Sequence, residues 1–359
     1  MKRVLCLIDS LGPGGAQRQM VGLASLLVER GLQTKVITYH DIPFYAPFLK
    51  EKGVEYSCVS CGRGLLDRLR EIGKTIKSYN PDVVISFLDT PNILTSLLRI
   101  NNKKWRLIVS ERNTSQKRGL REVIRFNLYR FADFVVPNAF SQERFIKQHF
   151  PFLSPKVVTI PNFVDLDFFV PPATRTKSNS PEVIIVASIR PSKNAINLID
   201  AVAALKTKGY SFHVSWYGRS EEFEEYLNQC SERIQQCGVS DEIDLKEKTY
   251  QIKERYQDAD LFCLPSFYEG TPNVICEAMA CGLPIACSDV CDNSRYVSEG
   301  ENGTLFDPSD VGSIVNALEK LFSLEESEYM DYCRRSREKA EAFLSKERFA
   351  ESYWGLLVK

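Results

Sequence analysis

A chain of 359 residues, 44% hydrophobic and 26% charged, has the composition of a soluble globular protein and is too long for one ordinary core, so two domains are expected. Its 46 Lys and Arg balance 46 Asp and Glu, but residues 1–165 hold 25 against 14 and the remainder 21 against 32, so a basic half precedes an acidic one. No nucleic-acid module accompanies the basic half, which excludes nucleic acid as the expected partner.

The start, MKRVLCLIDS, has too short an apolar run for a signal peptide or a membrane span, and a cytoplasmic protein is expected. The eleven cysteines are odd in number, in a long chain without an export signal, and read as reduced thiols. Cys58 and Cys61 form a C-x-x-C, but no second pair at metal-ligand spacing accompanies them.

Residues 4–8 read as a buried strand. LGPGGAQRQ follows, with Gly12, Gly14 and Gly15 at a strand-to-helix turn where backbone can approach a ligand closely. Met20, Leu23 and Leu27 then recur at helical spacing up to Gly31. Strands at 35–38, 83–87, 107–109, 134–136 and 157–160 alternate with helical stretches at 65–78, from Gly119 and after Ser141. Such alternation predicts a parallel sheet covered by helices.

Within residues 116–131, Leu120, Ile124, Leu128 and Phe131 form one apolar stripe, and Arg118, Arg121 and Arg125 fall at helical spacing on another side. Two readings stand: a surface for an anionic membrane or a lipid diphosphate acceptor, or a core-facing helix with a solvated basic face.

IPNFVDLDFF leads into PPATRTKSNSPE, a polar, proline-containing stretch that reads as a linker. The pattern then restarts with a strand at 183–187, a helix at 196–208, a strand at 212–216 and an acidic helical stretch from Glu221. Between the strand and helix lies IRPSKN, with Arg190 and Lys193 placed as a basic pair. Next comes ADLFCLPSFYEGTPNVICEAMACGLPIACSD, residues 259–289. It reads as a strand (261–264), a loop with Glu269 and Gly270, a helix with Thr271 as N-cap and Pro272 in its first position, Gly282 as the left-handed end, and another strand (285–287). Glu269 and Glu277 thus flank a helix N-terminus, which favours phosphate oxygens. ENGTLF and amphipathic helices complete the chain.

Glu269 and Glu277, with seven residues between them in this strand–loop–helix–strand setting, resemble the donor signature of retaining, nucleotide-sugar-dependent glycosyltransferases of GT-B architecture, the glycosyl transferases group 1. The resemblance covers essentially the whole chain, with its specific motifs concentrated in the second half. It implies an α/β fold of two Rossmann-like parallel-sheet domains facing across a cleft. Residues 1–165 would be the acceptor side, 166–181 the linker and 182–344 the nucleotide-sugar domain, with the helix at about 345–359 packing back onto the first.

The resemblance also implies roles. Gly14 and Gly15 would close on the donor diphosphate and sugar, Glu269 would contact the sugar, and Glu277 would accept from the ribose hydroxyls. Backbone N–H groups of Gly270, Thr271 and Asn273, on either side of Pro272, would help bind sugar or diphosphate, and Lys193 would neutralise the departing phosphate. The family's Arg position is held by Ser188, so Arg190 either substitutes from two residues on or is a surface residue. A histidine near the reacting centre is replaced by SERN, residues 110–113. Glu111 and Arg112 either line the acceptor side or form an internal ion pair.

No cofactor or metal is implied. Asp165 with Asp167, and Asp258 with Asp260, lie at a domain joint and a helix-to-strand turn, which are poor metal sites. The expected partners are a nucleotide sugar and a glycan or lipid-linked acceptor of surface polysaccharide, capsule or lipopolysaccharide synthesis. The competing classes are a nucleotide-sugar epimerase or hydrolase of the same fold, and a non-catalytic partner of another transferase.

Overall fold

The structure is a computed structural model that describes residues 2–100, 102, 104–219 and 221–358. The chain forms two units, one of residues 1–163 with 346–359 and the other of residues 164–345.

The first unit holds six parallel strands: β1 (Arg3–Leu7), β2 (Gln33–Thr38), β3 (Glu55–Cys58), β4 (Val83–Phe87), β5 (Arg106–Glu111) and β6 (Phe134–Pro137). Their order is β3-β2-β1-β4-β5-β6, the doubly wound arrangement whose direction reverses between β1 and β4. Successive side chains of a strand point to opposite faces, so Val4 and Cys6 join one core layer and Leu5 and Leu7 the other. Helices cover both layers, which is why the central strands read as near-continuous apolar runs.

The C-terminal helix, Lys346–Val358, belongs to this unit, burying Phe349, Tyr353, Leu356 and Leu357 with Met20, Leu23 and Leu27. Its last carbonyls are satisfied by cations from the sheet. Lys2 Nζ donates to Leu357 O at 2.6 Å and Arg106 Nη1 to Leu356 O at 2.8 Å, a favourable use of positive charge at a helix C-terminus.

The second unit repeats the plan with β7 (Glu182–Val186), β8 (His213–Arg219), β9 (Ile243–Glu247), β10 (Leu261–Leu264), β11 (Ile285–Ser288) and β12 (Gly303–Phe306), all parallel, in the order β12-β11-β10-β7-β8-β9. Here the reversal falls between β7 and β10. Val183, Ile185 and Trp216 face one layer and Ile184, Phe262 and Leu264 the other.

Three expectations need correction. Residues 166–181 are not a free linker but part of the second unit: Phe169 is buried in its core, and Arg175 donates to the carbonyls of Ala259 and Cys281. Residues 157–160 form no strand, only an isolated bridge from Val157 to Val135. The helix expected to be capped by Thr271 is Asn273–Ala280, with Pro272 in the cap position at ψ 81°, one residue later than expected.

Gly218 shows why β8 carries a glycine near its end. Its φ of 149° is rarely open to other residues, and an added Cβ would lie 1.9 Å from Ala187 O. That close approach lets Ile189 N reach Gly218 O at 3.2 Å and so holds the segment leaving β7. Gly218→Ala is therefore expected to cost roughly 2–4 kcal/mol through backbone strain and displacement. Thermal denaturation checks it, and an unchanged midpoint would contradict the role given to Gly218.

Candidate active site

Ligands of open parallel sheets bind beyond the strand carboxyl ends, at the point where the strand order reverses. In the second unit that point is flanked by the segments leaving β7 and β10, and these carry Lys193 and Glu269. Lys193 ends a short 3₁₀ turn, Pro191–Lys193, followed by Asn194 in the left-handed region at φ 63°, which asparagine tolerates better than most residues. Buried Asn194 ties the turn down by donating to Pro265 O at 3.1 Å and Pro308 O at 2.7 Å. Phe267 N adds a bond to Ser192 O at 3.0 Å.

Glu269 is thereby met by Lys193: Nζ lies 2.5 Å from Oε1, with the two side chains only 12% and 11% exposed. Ser266 Oγ donates to the same oxygen at 2.6 Å, and Glu269 N donates to Cys291 Sγ at 3.5 Å. Ser266 is itself held from β11, because Ser288 Oγ donates to its carbonyl at 2.6 Å. The sequence reading missed Ser266, Asn194 and Cys291. Asn194 and Ser266 stand within three residues of Lys193 and Glu269, and that proximity was the available signal.

Gly270, Thr271 and Pro272 lead from Glu269 into the helix Asn273–Ala280, whose cap residue makes no side-chain hydrogen bond to the first turn. Thr271 O accepts from Asn273 N at 2.9 Å. One turn in, Glu277 is 5% exposed and accepts from the hydroxyl of fully buried Tyr256 at 3.3 Å. The far end of the helix is fixed by Gly282 at φ 72° and by Arg337, which donates to Ala280 O and Phe169 O at 2.8 Å. The structure thus assembles Lys193, Glu269 and the loop 270–272 at the switch point, with Glu277 on the helix that follows.

Arg190 is half-buried rather than a plain surface residue. Among the described residues it has no ion-pair partner, and its buried Nε has no acceptor. It lies three residues before Lys193 in the sequence. Asp165 and Asp260 are occupied structurally, Asp165 by the N–H groups of Asp167 and Phe168 and Asp260 by that of Glu182. Among the described residues no cluster of His, Cys, Asp or Glu could hold a metal ion.

In the first unit Gly14 caps the helix Gly15–Glu29 in extended backbone at φ −136°, again without a side-chain hydrogen bond. Neither Gly14 nor Gly15 has a positive φ, and a Cβ added at Gly14 would lie 2.2 Å from Gln17 Oε1, so Gly14 makes room for a side chain of its own helix. Across the reversal from β1, Leu88 follows β4 at φ 78°, a strained conformation for leucine that the sequence did not signal.

Glu111 and Arg112 separate at the end of β5, and no ion pair joins them. Glu111 is fully buried, accepting from Tyr129 Oη at 2.5 Å and facing Arg125 Nη2 at 3.4 Å. Arg125 also meets Asp89 at 2.6 Å. Arg125 is thus a buried cation at 2% exposure, and its expected place on a basic outer face with Arg118 and Arg121 is wrong. Arg112 instead stacks 3.7 Å from the Phe87 ring centre and donates to Asn162 Oδ1 at 2.6 Å and Tyr353 Oη at 2.8 Å. Its partners tie the C-terminal helix to β5.

Burial pushes the Glu111 carboxyl up to about 7, against the opposing pull of Arg125. The folded state therefore retains a proton that the unfolded chain has released. The stabilisation is complete below about 4.5 and is lost as pH rises through about 7. Relative to Glu111→Gln, the wild type is expected to lose roughly 1–3 kcal/mol across that window. Parallel pH–melting curves of the two proteins would refute this.

Residues 13–168 match the model of Glycosyltransferase Family 4 and residues 169–342 that of Glycosyl transferases group 1. An uncharacterised glycosyltransferase of Haemophilus influenzae is 24% identical over 99% of this chain and its own full length. A Campylobacter jejuni enzyme named as a GalNAc-alpha-(1->4)-GalNAc-alpha-(1->3)-diNAcBac-PP-undecaprenol alpha-1,4-N-acetyl-D-galactosaminyltransferase is also 24% identical, covering 90% of each chain. The Anabaena protein HepE, solved with UDP and glucose, superposes with a TM-score of 0.85 at 17% identity over all of both chains. The architecture is GT-B, and the chain belongs to the glycosyltransferases, with a family 4 domain followed by a group 1 domain.

Proposed function

We propose that the chain transfers a hexosyl unit from a nucleotide sugar to a glycan or lipid-linked acceptor, with retention of anomeric configuration and without a metal. The acceptor belongs to surface-polysaccharide, capsule or lipopolysaccharide synthesis, and the chain works in the cytoplasm at an anionic membrane, which it meets through residues 116–131. The observation that carries the reading is the Lys193–Glu269 pair at the switch point, beside a helix N-terminus and a buried Glu277. The names of two similar proteins support it, one acting on an undecaprenol diphosphate glycan and one solved with UDP and glucose.

In this reading Lys193 and Arg190 neutralise charge as the anomeric C–O bond to the diphosphate breaks, and the N–H groups of Gly270 and Thr271 add their dipoles. Glu269 holds the sugar and Glu277 the ribose hydroxyls. The acceptor oxygen bonds to the same face of the anomeric carbon, and its proton passes to a departing phosphate oxygen, so no protein base is needed. Glu111 and Arg112 shape the acceptor side through the contacts they make within the first unit.

The test is incubation with a set of nucleotide sugars and a bacterial lipid extract, with chelator present. A lipid-soluble product whose new linkage keeps the donor's anomeric configuration is expected. Release of free sugar with no acceptor product would instead indicate a hydrolase, and loss of turnover with chelator would contradict metal independence.

A further inference from the structure

The helices Leu65–Tyr79, Asp89–Arg99 and Leu120–Leu128 pack side by side in that order on one face of the first sheet. Each follows a parallel strand, so all three begin at the same, carboxyl edge. Neighbouring helix axes lie about 8–10 Å apart, which puts the starts of the outer two roughly 20 Å from each other. Both outer starts are apolar and open to solvent. Leu65 and Leu66 are 52% and 79% exposed, and Leu120 and Ile124 are 77% and 53% exposed.

Cations surround them. Arg63 precedes the first helix, and Lys117 and Arg118 precede the third, all exposed. Among the described residues Arg63 and Lys117 have no ion-pair partner. Arg118 lies 5.6 Å from the Phe150 ring centre, and exposed Arg121 reaches Asp89 at 3.0 Å. The acidic side chains in these first turns are Asp67, Asp89 and Glu122, and Asp89 is already neutralised by Arg121 and Arg125.

The stripe of Leu120 and Ile124 is therefore not core-facing, since the helix buries Arg125 and Phe126 instead. Exposed leucines framed by unpaired cations suit a surface that is apolar within and negative at its face. We infer that Leu65, Leu66, Leu120 and Ile124, with Arg63, Lys117 and Arg118, form one docking surface for an anionic lipid bilayer at the carboxyl edge of the first sheet. This deepens the membrane contact of the proposed function and moves its centre. The contact is made by the starts of two helices, and buried Arg125 takes no part in it.

The test is co-sedimentation of the full-length protein with phosphatidylcholine vesicles, with and without phosphatidylglycerol. Wild type is expected to bind the anionic vesicles preferentially and to release as salt rises. The pair Leu66→Ser with Leu120→Ser, and separately Arg63→Gln with Lys117→Gln, should each weaken that binding about tenfold or more. All four side chains are exposed, so folding should be unaffected. Unchanged vesicle binding in both pairs would overturn the proposal. So would sedimentation velocity showing that the leucine pair only disrupts a dimer. Nucleotide-sugar binding is measured alongside. Its absence in a wild type that still binds vesicles would count against the transferase reading and leave the surface standing.

Discussion

Lys193→Ala is expected to lower the maximal rate of sugar transfer by about 10²–10³-fold, the usual effect of removing one preorganised group aimed at developing charge. The charge in question is the further negative charge that the β-phosphate gains as the sugar leaves. Lys193 is suited to meet it because its ammonium is already held in place: the turn Pro191–Lys193 is pinned by Asn194, and Nζ rests on Glu269 at 2.5 Å. Initial rates at saturating donor check this. A fall confined to KM would mean that Lys193 binds ground state and transition state equally. A full rate with a normal melting midpoint would remove Lys193 from the site.

The second large effect is expected on affinity. Glu277 is a nearly buried carboxylate that accepts from the hydroxyl of Tyr256 at 3.3 Å. If it accepts from two ribose hydroxyls, Glu277→Ala removes two hydrogen bonds to a charged acceptor, each worth about 1.5–3 kcal/mol. Donor affinity should then fall by about 10²-fold or more, with kcat less affected. Glu277→Gln keeps an acceptor oxygen without the charge and should fall between. Equal affinity in all three proteins would assign Glu277 to the fold alone, as a partner for Tyr256.

Much of the fold was legible because its central strands are buried on both faces. Residues 261–264 carry an unbroken apolar run and 83–87 one interrupted only by buried Ser86, and Gly282 marks a helix end that the structure places at φ 72°. The edge strands β3 and β9 were missed. Their sequences, EYSC and IDLKE, carry polar residues because an edge strand is half solvated. The linker reading failed for a related reason: PPATRTKSNSPE is poor in apolar residues, but Arg175 fastens it through backbone carbonyls, which leave no trace in composition.

The candidate site divides in the same way. Glu269, Lys193 and the helix start between Glu269 and Glu277 were readable because the spacing of short motifs reflects local geometry. The acceptor-side residues were not. Glu111 turned out to meet Tyr129 and Arg125 from a following helix, and Arg112 to meet Tyr353 some 241 positions away. Such partners are set by tertiary packing, and helical spacing alone put Arg125 on the wrong side.

Titration calorimetry of a panel of nucleoside diphosphate sugars into the wild type, Lys193→Ala and Glu277→Ala tests the central claim most directly. The account predicts that the wild type binds at least one of them and that each variant binds it at least about 30-fold more weakly while keeping a normal melting midpoint. Binding of equal strength by all three well-folded proteins would contradict it.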